Sequence, residues 1–161
     1  MNIEKFNQLL SLLANLGVLA GIVFLAIELQ QNTDMMEAQT RDSITDKQLD
    51  WSLAIASDTS IAALWEKGNS EIEFTEPGEG AAYFLLTTSS FRIWENEFYQ
   101  YQKGLFSESE FLGRENRWRN NMRNRFRQGV WCNTRSTYSE GFQEIMNSFL
   151  TDDFFCEENT N

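Results

Sequence analysis

Histidine is absent from the 161 residues, proline occurs once, at Pro77, and there are two cysteines, Cys132 and Cys156. Each shortage excludes something. Without histidine there is no imidazole for acid–base work near neutral pH, and no Glu-x-x-His pair for a carboxylate-bridged metal site in a helical bundle. Two thiols cannot build the multi-bridge framework of a small secreted domain, nor a four-ligand zinc site. The expected state is two unpaired thiols in a reducing compartment, with a single disulfide as the alternative. A lone proline leaves long helices uninterrupted. Positive charge is scarce as well: 13 basic against 24 acidic residues give a net charge of −11. A chain this acidic repels polyanions, so nucleic acid is not expected as a partner.

What is there begins with an uncharged run of 22 residues, Phe6 to Ile27, between Lys5 and Glu28. About 20 residues at ~1.5 Å each span the ~30 Å hydrocarbon core of a bilayer, so the run predicts a membrane-crossing helix. It is too long for the apolar region of a secretory signal, and no small-x-small cleavage site follows it. A helix buried in a soluble bundle is the competing reading. Gly17 and Gly21 form a G-x-x-x-G pair with Ala14 on the same face, and Asn15 adds a polar group that prefers a partner to hydrocarbon. Ala14, Asn15, Gly17 and Gly21 are therefore the expected self-association face, and a homo-oligomer in the lipid bilayer the expected state. Lysine and arginine flank the run almost evenly, and the tally leans to a cytoplasmic C-terminal domain.

The remainder reads as helix throughout. Leu29, Met36, Ile44 and Leu53 continue at helical spacing past the apolar run. Asp58 and Thr59 suit the start of a short helix that Gly68 and Asn69 stop, and Pro77, Gly78 and Gly80 mark a loop. From about Ala81 to Lys103, Phe84, Phe91 and Phe98 recur every seven residues, and Gly104 suits the stop. Ser107 and Glu110 form an S-x-x-E capping box for a helix through Phe111, Trp118, Met122 and Phe126, ending at Gly129. A shorter helix carries Trp131, Arg135 and Tyr138, and a last one starts at Ser139–Glu140. The fold class is all-α: an N-terminal transmembrane helix continuing into a helical bundle. The expected organisation is an anchor over 1–28, an amphipathic helix over 29–58, a bundle over 59–150 and an acidic tail over 151–161.

Two polar features interrupt the apolar pattern. Arg92, Glu95, Asn96 and Gln100 lie within an aromatic helix, where a carboxylate among rings is a candidate general acid. No nucleophile or metal cluster stands near, so a buried polar clasp is the expected role, and no enzyme and no cofactor are expected. The second feature is residues 114–127, with Arg114, Arg117, Arg119, Arg123, Arg125 and Arg127 against Glu115 alone. Trp118, Met122 and Phe126 fall on one side of that helix, which favours core rings and internal or intersubunit ion pairs over stacked bases, with anionic lipid second. A calcium site at Asp152, Asp153, Glu157 and Glu158 matches no calcium-loop spacing, and a solvated tail is the better reading.

IELQQNT after the apolar run, FRIWENEFYQYQKGLF, the spaced Trp118 and Trp131, and YSEGFQEIMNSF together resemble a family of small bacterial membrane proteins. In that family an N-terminal membrane helix precedes a helical domain with an E-N-x-x-x-Q-x-x-x-G core, here Glu95, Asn96, Gln100 and Gly104. The resemblance implies a helical bundle at a bacterial inner membrane. It implies no activity and no catalytic residues. An interaction or scaffold module is thus the expected function, with a regulatory or sensor subunit of a larger membrane complex, binding a lipid or apolar ligand, as the alternative.

Overall fold

A computed structural model describes residues 3–151 together with Phe154 and Cys156. Asp152, Asp153, Glu157 and Glu158 of the acidic tail, and Phe155, lie outside the described residues. Among those described there are six α-helices, a single 3-10 turn and no strand. The chain divides into two units, residues 1–39 and 40–161.

The described residues of the first unit are helix alone, the N-terminal part of α1 (Ile3–Ala56). The helix is long and apolar enough to cross a membrane, and no residue of its most apolar 18-residue window is buried. Ala14, Asn15, Gly17 and Gly21 are all exposed, and a Cβ built on either glycine would meet nothing within 4 Å.

The second unit is the bundle. It takes in residues 40–56 of α1, so the amphipathic stretch expected over 29–58 divides, and Ile44 and Ile55 are buried in the bundle core. Next comes α2 (Thr59–Asn69), where the Asp58 side chain accepts from the Ser60 backbone N–H and so satisfies one free donor at the helix start. Helix α3 (Glu79–Gln102) is central and packs on α2, α4 and α5. Gly68 lets α2 and α3 meet: a Cβ there would lie 2.2 Å from a Tyr83 ring carbon. Gly104 sits at φ 74° just past α3, a backbone that favours glycine because it has no Cβ.

Helix α4 (Glu108–Asn121) opens with the Ser107–Glu110 capping box, both halves of it formed. The continuous helix expected up to Gly129 is instead two. The chain breaks at 122–124 and restarts as α5 (Arg125–Thr134), with Gly129 inside it. The cause is Asn124, whose Oδ1 accepts from the Arg127 backbone N–H while its Nδ2 donates to the Gly68 and Asn69 carbonyls. A capping side chain competes with helix continuation by offering the backbone another partner. A 3-10 turn (Arg135–Thr137) and α6 (Glu140–Asn147) follow.

Aromatic rings fill the core. Phe91, Trp131 and Phe142 are fully buried and meet edge to face, Phe91–Trp131 at 5.6 Å and Trp131–Phe142 at 5.8 Å. Such contacts add roughly 0.5–1.5 kcal/mol each beyond the area they bury. The Trp131 indole N–H is satisfied by Asn147 Oδ1 at 2.9 Å. Cys132 and Cys156 form a disulfide with Cα atoms 5.1 Å apart, which corrects the expectation of two unpaired thiols. The folded chain brings α5 and the segment after α6 within the range a disulfide spans.

Candidate functional site

The bundle carries a cleft with a volume of about 660 Å³. Its walls are helical stripes. Thr45, Gln48, Leu49 and Ser52 come from α1; Ser90, Ile93, Trp94 and Glu97 come from α3; Glu110, Gly113, Arg114, Arg117, Trp118 and Asn121 come from α4. In each set the spacing is three, four and seven residues, which places side chains on one helix face. Trp51, Trp65, Asn69 and Arg127 complete the lining.

Four of the five tryptophans face this cleft. Trp94 and Trp118 stack with centroids 5.9 Å apart and planes 16° from parallel, and Trp51 meets Trp65 edge-on at 5.0 Å. Trp51 also donates its indole N–H to the Leu86 carbonyl at 3.3 Å, which ties α1 to α3. At Gly113 the α4 wall has no side chain, and a Cβ there would meet nothing within 4 Å.

Charges are set among these rings. Glu97 is 1% exposed, accepts from Gln48 Nε2, and lies 3.2 Å from Arg114 Nη1. Burial pushes its carboxyl above the usual range, and the attraction of Arg114 and the Gln48 hydrogen bond oppose that only in part. Arg114 also lies 4.7 Å over the Phe106 ring. Glu110 pairs with Arg41 at 2.6 Å; hydrogen bonds from Ser107, backbone first, hold its carboxyl below the usual range.

Arg127 is the most deeply placed cation, 4% exposed. It donates to Asn121 O at 3.1 Å, Asn121 Oδ1 at 2.9 Å and Asn69 Oδ1 at 2.6 Å, and sits 5.0 Å over the Trp65 ring. Its Nε has no partner. Burial lowers its pKa, because the charged form loses hydration that neutral amide oxygens replace poorly.

The expected polar clasp is divided. Arg92 and Glu95 do pair, at 2.8 Å, but at the surface, where half of the Arg92 side chain is exposed. Arg92 donates to Thr137 O and Oγ1 and lies 4.0 Å over the Tyr138 ring, while Glu95 accepts from the Ser139 backbone N–H at 2.8 Å. The pair thus ties α3 to the start of α6. Asn96 and Gln100 are half-buried on the same helix, and no hydrogen bond among the described residues joins their side chains to the pair. The buried acid of α3 is its neighbour Glu97.

The arginine-rich segment likewise scatters. Arg114 and Arg127 line the cleft from within, and Arg117 lines it while exposed. Arg119 pairs with Glu115 at 2.8 Å and covers the Phe149 ring at 4.4 Å; Arg123 is exposed. The Arg125 backbone N–H donates to Glu71 Oε1. Sequence reasoning missed Glu97, Gln48 and Trp51 as members of one site, although the stripe Glu110-Gly113-Arg114-Arg117-Trp118-Asn121 is visible in the spacing. No protein-family profile, no curated protein and no solved structure matches this chain.

Proposed function

We propose that the chain is a membrane-tethered binding module, in which the apolar part of α1 holds the protein in a bacterial inner membrane and the bundle binds a small ligand. The role fits a regulatory or sensor subunit of a larger membrane complex. The observation that carries this reading is the cleft: about 660 Å³, lined by four tryptophans with charged groups set between them. Ligand sites are typically concavities of ~300–1,000 Å³ with an apolar lining and a few placed polar groups. The Cys132–Cys156 disulfide supports a bundle on the oxidising side of that membrane, because thiols stay reduced in a cytoplasm. That side is opposite to the one the flanking charges favour.

A thermal-shift screen of a fragment library, on the full chain in bilayer nanodiscs, tests the cleft. Gly113→Phe places a ring in open space on the α4 wall. Fragments that stabilise the parent chain and lose their effect in Gly113→Phe support the reading; an absence of hits, or hits indifferent to that substitution, refutes it.

A second reading is self-association through Ala14, Asn15, Gly17 and Gly21, small or polar residues on the exposed apolar part of α1. Leucine at Gly17 and Gly21 blocks close helix approach. An assembly mass unchanged by those substitutions in nanodiscs removes this face from any oligomer.

A further inference from the structure

The charges of the cleft do not cancel. Its two carboxylates are already engaged: Glu97 with Arg114 and Gln48, Glu110 with Arg41 and Ser107. Its cations are not all ion-paired, Arg117 acting on Glu97 only from beyond contact. Among the described residues, no carboxylate lies within ion-pair distance of Arg127 or of Arg117. Arg127 is the more telling, because it is 4% exposed, meets amide and carbonyl oxygens and the Tyr83 phenol rather than a carboxylate, and its Nε has no partner. A buried cation without a counter-charge is costly, and proteins remove that cost by pairing it. Arginine is the side chain best suited to do so with a carboxylate or phosphate, since its planar fork matches their oxygens.

The rest of the lining defines what the anion must carry. Trp94 and Trp118 stack on one another, and Trp65 lies under the Arg127 guanidinium. The half-buried indoles of Trp51, Trp65 and Trp94, with Leu49 and Ile93, offer apolar surface that a free inorganic ion would leave uncovered.

Resting on the reading of the cleft as a ligand site, we propose that its ligand is a small amphipathic organic anion. A carboxylate or phosphate of the ligand meets Arg117 and Arg127, and an aromatic or aliphatic body lies among Trp51, Trp65 and Trp94. This differs from a purely apolar ligand in one measurable respect: the sign of the head group decides affinity.

Three compounds with one body and different heads test it: phenylbutyrate, phenylbutanol and phenylbutylamine, titrated into the full chain in nanodiscs and followed by tryptophan fluorescence. Phenylbutyrate binds about tenfold more tightly than the alcohol or more, the margin of a charge-assisted hydrogen bond over a neutral one, and the amine binds most weakly. Arg117→Gln, at an exposed position, leaves the fold intact and removes most of that margin. Arg127→Gln removes it too, and should that variant fail to fold, Arg117→Gln decides alone. If the alcohol or the amine binds as tightly as the acid, or Arg117→Gln keeps the full margin, the anion assignment is overturned and the ligand cleft stands. If none of the three binds, the cleft reading itself falls, and this assignment with it.

Discussion

Replacing Cys132 and Cys156 by serine should cost the bundle a predictable amount. The cross-link joins residues separated by 24 positions, Cys132 in α5 and Cys156 beyond α6. Closing a loop of that length removes conformational freedom from the unfolded chain worth about 3 kcal/mol on a chain-entropy treatment. For a unit the size of residues 40–161, roughly 4 °C of Tm accompanies each kcal/mol, so the melting point should fall by about 12 °C. The assay is thermal unfolding of the full chain in nanodiscs, with and without a reductant, beside the double serine variant. Reductant should move the parent to the variant's Tm and leave the variant where it is. Two thiols that alkylate freely in the unreduced native chain, or a Tm indifferent to reductant, would refute both the pairing and the oxidising location inferred from it.

Other expectations concern the packing and the buried acid. Gly68→Ala sets a Cβ 2.2 Å from a Tyr83 ring carbon, so the buried ring or the helices must shift; urea unfolding should show a loss of about 1–3 kcal/mol, and a neutral result would mean the contact is not that close. Asn124→Ala removes the α5 cap and two hydrogen bonds to the end of α2, and should cost about 2 kcal/mol in the same assay. Glu97 gives stability a pH dependence. Burial holds its folded pKa above the ordinary 4.5, so the stability it contributes is fully present below 4.5 and is lost as pH rises through the raised value. Glu79, held low first by its Lys67 hydrogen bond, and Glu110 act oppositely: their contribution is present above 4.5 and is lost as pH falls through their lowered values. Glu97→Gln should therefore flatten the decline above 4.5 and leave the acid limb unchanged; an unaltered upper limb would exclude Glu97 as its source.

The helix starts were legible because their signals are local. Asp58, the Ser107–Glu110 box and Ser139 each sit where a helix begins, and Gly104 ends α3 with the positive φ that glycine allows. The break after α4 was hidden because Trp118, Met122 and Phe126 keep helical spacing across it, while the side chain that enforces it, Asn124, draws on carbonyls more than 50 residues away. The cleft was hidden for the same reason. Glu95 and Glu97 are alike as neighbours in a sequence; what buries one and not the other is Gln48 on α1 and Arg114 on α4. Two cysteines alone do not say whether they meet.

A ligand site in the bundle of a membrane-tethered chain has a built-in control. Trp51, Trp65 and Trp94 line the cleft half-buried, whereas Trp118 behind them and Trp131 elsewhere in the core are fully buried. Fluorotryptophan-labelled full chain in nanodiscs, titrated with phenylbutyrate and followed by fluorine NMR, reads each ring separately. The Trp51, Trp65 and Trp94 signals should move together along a saturable curve while Trp131 stays in place. Signals that do not move, or a Trp131 that shifts as much as the others, would contradict a ligand site there.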